Sequence, residues 1–119
     1  FPYYEAAACG LPIIGSYCSG QKDLFDAADG AYLVEPEDYV KVGVNGPLAG
    51  LAKHCNFYDG QYFPTFGEKT IEKVQSHMRD VYENYDEALE NANELSQYVL
   101  NNCSWDHAID KVYKRIEEL

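Results

Sequence analysis

The first sixteen residues constrain the fold of this chain more than any other stretch. Pro2 suits the first position of a helix, where its missing N–H costs nothing, and Glu5 and the alanines after it favour helix formation. Gly10 can take the left-handed conformation that ends a helix, and Pro12 prevents the helix from continuing. An apolar, β-branched run then predicts a buried strand over residues 11–16.

A second helix and strand follow directly. The sequence predicts a short helix over residues 21–28, ended by Gly30, and a strand over residues 31–34. Short connections between alternating helices and strands favour parallel strands and right-handed crossovers, and therefore an α/β fold. Because two strands are too few for a stable doubly wound sheet, we expect further strands to come from an earlier part of the polypeptide.

Residues 37–67 read as an irregular insertion. Glycines and prolines punctuate this stretch, although residues 47–55 could form one short helix. It also contains an aromatic cluster, which predicts a loop that packs its own rings; a lid facing a ligand is the alternative. The cluster consists of Phe57, Tyr58, Tyr62, Phe63 and Phe66.

Residues 68–119 read as a helical tail. Apolar residues recur every three or four positions in three stretches, each of which predicts a helix. The first covers residues 70–84, the second follows a plausible cap at Asp86, and the third follows Ser104. The last of these helices places Trp105 on an apolar stripe that we expect to be buried. If the indole is buried, replacing Trp105 by alanine costs about 3–5 kcal/mol.

The charge and the cysteines exclude several function classes. Twenty acidic and nine basic residues give a formal charge of −11, which opposes binding to nucleic acid or to an anionic membrane. The four cysteines lack the short spacing of zinc sites, and we expect Cys9 and Cys18 to be small core residues in a protein of the reducing cytoplasm. No apolar run approaches the length of a bilayer span, although membrane association through other parts of the protein stays open.

The sequence resembles the C-terminal, nucleotide-sugar-binding domain of GT-B glycosyltransferases, especially glycosyltransferase family 4. Residues 1–15 (FPYYEAAACGLPIIG) match the second half of a pattern close to EGFGLPLLEAMACGxPVIA. Ser19-Gly20 lies where that family has a glycine turn, and residues 30–36 (GAYLVEP) match its GLLVxP segment. Residues 103–107 (CSWDH) resemble the pattern that opens the family's last helix.

The resemblance implies a fold, a reaction and a donor site. The chain would be part of a Rossmann-like parallel sheet with a helical tail, and residues 1–36 would carry the donor site. The reaction would move a sugar from a nucleotide diphosphate sugar to an acceptor hydroxyl, with retention at the anomeric carbon and without a metal or other cofactor. Glu5 would bind the ribose hydroxyls, Phe1 would offer its backbone N–H to a phosphate, and Ser19 and Gly20 would border the nucleotide.

The resemblance also implies that much of the enzyme lies outside this sequence. Glu5 matches the second glutamate of the family's pair; the first glutamate, the family's Arg and Lys and the whole acceptor domain would precede Phe1, and no residue here matches a catalytic position. Two alternatives stay open: a non-catalytic nucleotide-sugar-binding or scaffold module, and a sugar-nucleotide epimerase on the same fold. The three histidines, His54, His77 and His107, lack ligand spacing, and we expect structural or exposed roles for them.

Overall fold

The computed structural model describes residues 1–46 and 48–119. These residues form a mixed α/β structure with a small parallel sheet and a helical C-terminal tail. The helices are α1 (Pro2–Ala8), α2 (Lys22–Phe25), α3 (Ala49–His54), α4 (Glu68–Glu83), α5 (Tyr85–Asn102) and α6 (Trp105–Glu117). The strands are β1 (Ile13–Ser16), β2 (Ala31–Val34), β3 (Asp38–Lys41) and β4 (Tyr62–Thr65).

The opening helix and the parallel pair form as the sequence predicts. Helix α1 ends at Ala8, and Gly10 takes the left-handed conformation with a φ of 68°. Strands β1 and β2 pair in parallel, with Ile13 opposite Ala31 and Ser16 opposite Val34. The predicted helix over residues 21–28 is shorter in the structure, where a 3-10 turn leads into α2.

The main core lies on one face of this sheet. Ile13 points into a cluster with Ala7 of α1, Leu24 and Phe25 of α2, and Leu95 and Val99 of α5. Gly15 points to the same face, where the rings of Tyr3 and Phe25 meet edge to face at 5.4 Å. A β-carbon at Gly15 would lie 2.8 Å from the Phe25 ring, so glycine is needed for this close packing.

Helix α4 covers the other face of the sheet and the outer edge of β2. The rings of His77 and Tyr32 lie 5.3 Å apart, edge to face. His77 Nε2 also lies 3.1 Å from the carbonyl oxygen of Leu33. Since Val34 O accepts a hydrogen bond from Tyr17 N on the β1 side, the neighbouring Leu33 carbonyl points away from β1. His77 therefore occupies part of the free edge of β2.

Residues 38–65 contain more regular structure than the sequence predicted. Strands β3 and β4 pair antiparallel, with Asp38 opposite Thr65 and Lys41 opposite Tyr62. Helix α3 forms within the range predicted for a short helix, of which Pro47 lies outside the described residues. The ring of Tyr58 contacts the rings of Phe57 and Phe63 edge to face, so three of the five aromatics pack together as predicted. Tyr62 and Phe66 are exposed.

The tail consists of three helices, as predicted, but the expected burial of the last one is wrong. Ser104 caps α6, since its hydroxyl oxygen accepts a hydrogen bond from His107 N at 3.3 Å. However, the Trp105 side chain is 77% exposed, and the other apolar residues of the α6 stripe are exposed with it. Among the described residues, no element packs closely enough against α6 to bury this stripe.

A carboxylate from outside the helix caps α4. Glu37 Oε1 accepts hydrogen bonds from Thr70 N at 2.8 Å, from Thr70 Oγ1 at 3.0 Å and from Gly67 N at 3.1 Å. A β-carbon at Gly67 would lie 2.7 Å from the other oxygen of this carboxylate. Residue 67 must therefore be small for Glu37 to reach the orphan N–H groups of the helix.

The exposed side of β1 generates a prediction about association. Because β1 pairs only with β2 among the described residues, one side of β1 presents unpaired backbone groups to solvent. We expect these 119 residues alone to be unstable or to associate in solution. Sedimentation and thermal unfolding test this, and a monomer with a sharp, cooperative melt would contradict it.

The burial of Leu95 and the exposure of Trp105 predict opposite mutational outcomes. Leu95 is 1% exposed, so Leu95→Ala leaves a cavity and should cost about 2–5 kcal/mol in the free energy of unfolding. Trp105→Ala removes an exposed side chain and should cost less than about 1 kcal/mol. Denaturant unfolding of the two variants provides the comparison, and equal losses would show that α6 packs against the core in solution.

The cap on α4 predicts an acid-dependent loss of stability. The hydrogen bond from Thr70 N is the main cause that lowers the pKa of Glu37. The Thr70 hydroxyl, Gly67 N and the charge of Lys69 also lower this pKa, whereas partial burial raises it. Because the pKa of Glu37 is lower in the folded state than in the unfolded state, the ionised carboxylate stabilises the fold at pH values above its unfolded-state pKa. This stabilisation is lost as the pH falls through the folded-state pKa. The melting temperature of Glu37→Gln should therefore fall less than that of the wild type between about pH 5 and pH 3.

The matched control for this experiment is Glu90→Gln. Glu90 is an exposed acid on α5 whose side chain makes no hydrogen bond with the described residues. This variant should follow the wild-type pH profile. If Glu37→Gln also follows the wild-type pH profile, the Glu37 carboxylate does not cap α4 in solution.

Candidate functional site

The carboxyl ends of β1 and β2 meet at a cavity of about 400 Å³, the strand-end cavity, which several charged side chains line. Tyr17 follows β1 and Glu35 follows β2, while Lys69, Thr70 and Lys73 reach the cavity from the first turns of α4. Ligands of α/β folds usually bind at this edge of the sheet, outside the carboxyl ends of the strands. The cavity is therefore the first place to look for a polar ligand.

Two side chains from the start and the end of α2 contact Tyr17. Its hydroxyl donates a hydrogen bond to Asp26 Oδ1 at 2.5 Å, and the Lys22 ammonium group lies 4.4 Å from the centre of its ring. The hydrogen bond to Asp26 is the main cause that raises the pKa of Tyr17, with partial burial and the charges of Asp26 and Glu35 adding to it. Tyr17 therefore stays protonated at neutral pH and keeps a fixed orientation beside the cavity.

The two lysines give the cavity its positive charge. Lys69 and Lys73 lie one turn apart on α4, so both ammonium groups emerge on the same side of the helix. Glu35 and Glu37 line the same cavity, but the Glu37 carboxylate is occupied by the cap on α4. Glu35 can accept hydrogen bonds and the two lysines can donate them, so the cavity has groups for both the hydroxyl and the anionic parts of a ligand.

Sequence reasoning missed this cavity. Its residues come from two parts of the chain that are far apart in sequence, and no local motif joins them. The available signals were Tyr17 directly after a predicted strand and two lysines spaced four residues apart at the start of the predicted helical tail. Neither signal is specific, because the sequence does not show which helix lies across the ends of the strands.

Glu5 occupies a different environment from the one expected. The sequence analysis placed it in a largely buried turn, but the structure places it on the exposed side of α1. Its carboxylate makes no hydrogen bond or ion pair with the described residues. The carboxylate is therefore accessible to a ligand, and burial does not require it to have a partner.

Phe1, Ser19 and Gly20 are exposed as well. Phe1 precedes the first turn of α1 and its side chain is 87% exposed. Ser19 has a positive φ of 56° and begins the 3-10 turn, while a β-carbon at Gly20 would meet nothing within 4 Å. The turn therefore strains a serine, and it does not depend on the glycine for space.

The four predicted site residues belong to two elements, the first turns of α1 and the 3-10 turn after β1. Helix α1 runs back along β1, so Phe1 lies towards the carboxyl end of β1, where the Ser19-Gly20 turn also begins. No hydrogen bond joins Glu5 to Ser19 or Gly20 in the described part of the chain. None of the four lines the strand-end cavity.

The cysteines and histidines make local contacts or face solvent. Cys18 is buried as expected, whereas the expected burial of Cys9 is wrong because it faces solvent at the end of α1. His77 contacts β2, and the His107 ring packs against the Ser104 cap with Nδ1 at 2.7 Å from the hydroxyl oxygen. Within residues 1–46 and 48–119, no three His, Cys, Asp or Glu side chains are grouped so that they could hold a metal ion.

Comparison of the chain with models of known protein families, with curated proteins and with solved structures finds no match. Its function therefore has to be inferred from its residues and their geometry. Among the described residues, no helix is both long enough and apolar enough to cross a membrane.

Proposed function

We propose that this chain is the donor-binding portion of a glycosyltransferase of the GT-B type. It would bind a nucleotide diphosphate sugar and contribute to transfer of the sugar to an acceptor hydroxyl, with retention at the anomeric carbon. The Rossmann-like sheet of such a domain would extend the parallel pair β1–β2. All four cysteines are free thiols, which supports a cytoplasmic location for the protein.

The observation that carries this proposal is the environment of Glu5. The segment that resembles family 4 folds as a helix, a left-handed Gly10 and a parallel strand, and it presents Glu5 with an unoccupied carboxylate. A carboxylate can accept hydrogen bonds from both vicinal hydroxyls of a ribose. The fold therefore leaves the Glu5 carboxylate free to accept these hydrogen bonds, which is the role that the resemblance assigns to it.

The proposed chemistry is stabilisation of a leaving diphosphate. Negative charge grows on the diphosphate as the glycosidic bond breaks, and backbone N–H groups and positive side chains can offset it. Tyr3 and Tyr4 have N–H groups in the first turn of α1 that precede its first intrahelical bond, which runs from Glu5 N to Phe1 O. Glu5 would bind the nucleotide and take no part in proton transfer.

A scaffold role is the second candidate, and the exposed stripe of α6 favours it. Trp105, Ile109 and Val112 are apolar side chains in contact with solvent, which is typical of a surface that meets another protein. In that case Glu5 would be an ordinary solvated acid. The two candidates therefore differ in what a substitution at Glu5 should do.

The prediction for Glu5 concerns donor binding. In the polypeptide that contains the complete donor site, Glu5→Gln removes the charge and turns one acceptor oxygen into a donor group. At least one charge-assisted hydrogen bond to the ribose is lost, on the order of 1.5–3 kcal/mol. We expect kcat/KM for the nucleotide sugar to fall roughly tenfold to a few hundredfold, with weaker nucleotide binding as the main cause.

The matched control is Glu117→Gln, which neutralises an exposed acid on α6, far from α1 in the sequence. Nucleotide affinity, transfer rate and melting temperature should be measured for both variants. The control should match the wild type in all three. If Glu5→Gln also matches it, Glu5 does not bind the donor and the scaffold candidate is favoured.

A further inference from the structure

The turn between β3 and α3 contains a pair of residues that can react with each other. Asn45 and Gly46 form the only Asn-Gly pair in the chain, and each of the other six asparagines precedes a residue that has a side chain. Both residues are exposed. The side-chain amide of Asn84 donates a hydrogen bond to Asp80, whereas the Asn45 amide makes none with the described residues. The Asn45 amide carbon is therefore open to attack by a nucleophile.

The backbone nitrogen of Gly46 is the nucleophile within reach. Its attack on Asn45 Cγ closes a succinimide ring, and glycine has neither a side chain that hinders the attack nor narrow limits on its backbone conformation. In the folded turn Gly46 N donates a hydrogen bond to Gly43 O at 3.1 Å. One hydrogen bond in an exposed turn is weak in water and opens often, so it slows the attack without preventing it.

We propose that Asn45 converts without an enzyme into isoaspartate and aspartate. A bond forms between Gly46 N and Asn45 Cγ, the bond from Cγ to Nδ2 breaks, and Nδ2 leaves as ammonia with the proton from Gly46 N. Water then opens the succinimide, as its hydroxyl group adds to one ring carbonyl and its proton returns to the ring nitrogen. Opening at the backbone carbonyl of Asn45 gives isoaspartate, and opening at Cγ gives aspartate.

The modification changes the turn in two ways. Both products add one negative charge, and isoaspartate also lengthens the main chain by one carbon atom. Gly46 bonds to both sides of the turn, since its carbonyl oxygen accepts a hydrogen bond at 3.1 Å from Ala49 N, the first residue of α3. We expect α3 to lose order in the modified chain while the core around Leu95 stays packed. The inference is independent of both candidate functions, because it uses only this turn.

A second Asn-Gly pair at a packed position provides the matched control. Asp29→Asn places such a pair at positions 29–30, where a β-carbon on Gly30 would lie 2.3 Å from Asn91 O. The Gly30 backbone is packed against α5, so it cannot reach the geometry of the ring unless the protein unfolds. Gly46→Ala is the second control. A β-carbon at Gly46 would lie 3.9 Å from Gly43 O, so the methyl group fits the turn but hinders the attack.

Peptide mass spectrometry of the Asp29→Asn variant, incubated at neutral pH, follows both pairs in one molecule. In the folded protein, the peptide with position 45 should gain the mass of an NH2-to-OH exchange at least about tenfold faster than the peptide with position 29. In urea the two rates should converge, because unfolding removes the difference in packing. Gly46→Ala should slow the reaction at position 45 at least about tenfold in both conditions.

Three results would overturn the proposal. Position 45 could keep its amide in the folded protein and lose it only in urea, which would mean that the turn protects Asn45. Positions 29 and 45 could react at equal rates without urea, which would mean that the reaction needs the unfolded chain. The product at position 45 could also elute as a single species identical to that of Asn45→Asp, which would exclude the succinimide route.

Discussion

The structure depends on burial of a few apolar side chains that join the beginning of the chain to α5. Leu24 lies on α2 and Leu95 lies on α5, and both are almost completely inaccessible to water. Burial of a leucine side chain contributes about 1.5–3 kcal/mol, so the cluster outweighs any single hydrogen bond described above. Because it joins segments that are distant in sequence, it holds both ends of the chain between Phe25 and Leu95.

The sequence predicted the parts of this fold that local chemistry specifies. The end of α1 follows from Gly10 and Pro12, the start of α6 follows from the Ser104 cap, and β1 follows from its β-branched run. Strands β3 and β4 were missed because glycine and proline dominate their surroundings. Pro64 itself lies within β4, where it pairs opposite Tyr39, and a proline inside a run argues against a strand unless the strand lies at an edge.

Tertiary relationships account for the remaining differences. The apolar stripe of α6 predicts burial, but periodicity shows only that a helix has an apolar side and does not identify what covers it. The same limit applies to the strand-end cavity, because Tyr17 meets Lys69 and Lys73 only through the packing of α4 across the sheet. Glu5 was predicted as a site residue from a family pattern, and which side of α1 it occupies follows from how α1 packs on α5.

The link between Glu37 and the start of α4 makes residues 38–66 a closed loop. One carboxylate brings the two ends of this segment together, and the β3–β4 ladder continues the closure inward. The entropy of closing a flexible loop rises only slowly with its length, by about 0.6 kcal/mol for each doubling. Insertions or deletions between β3 and β4 should therefore cost little stability, provided that the acid at position 37 and the glycine at position 67 are kept.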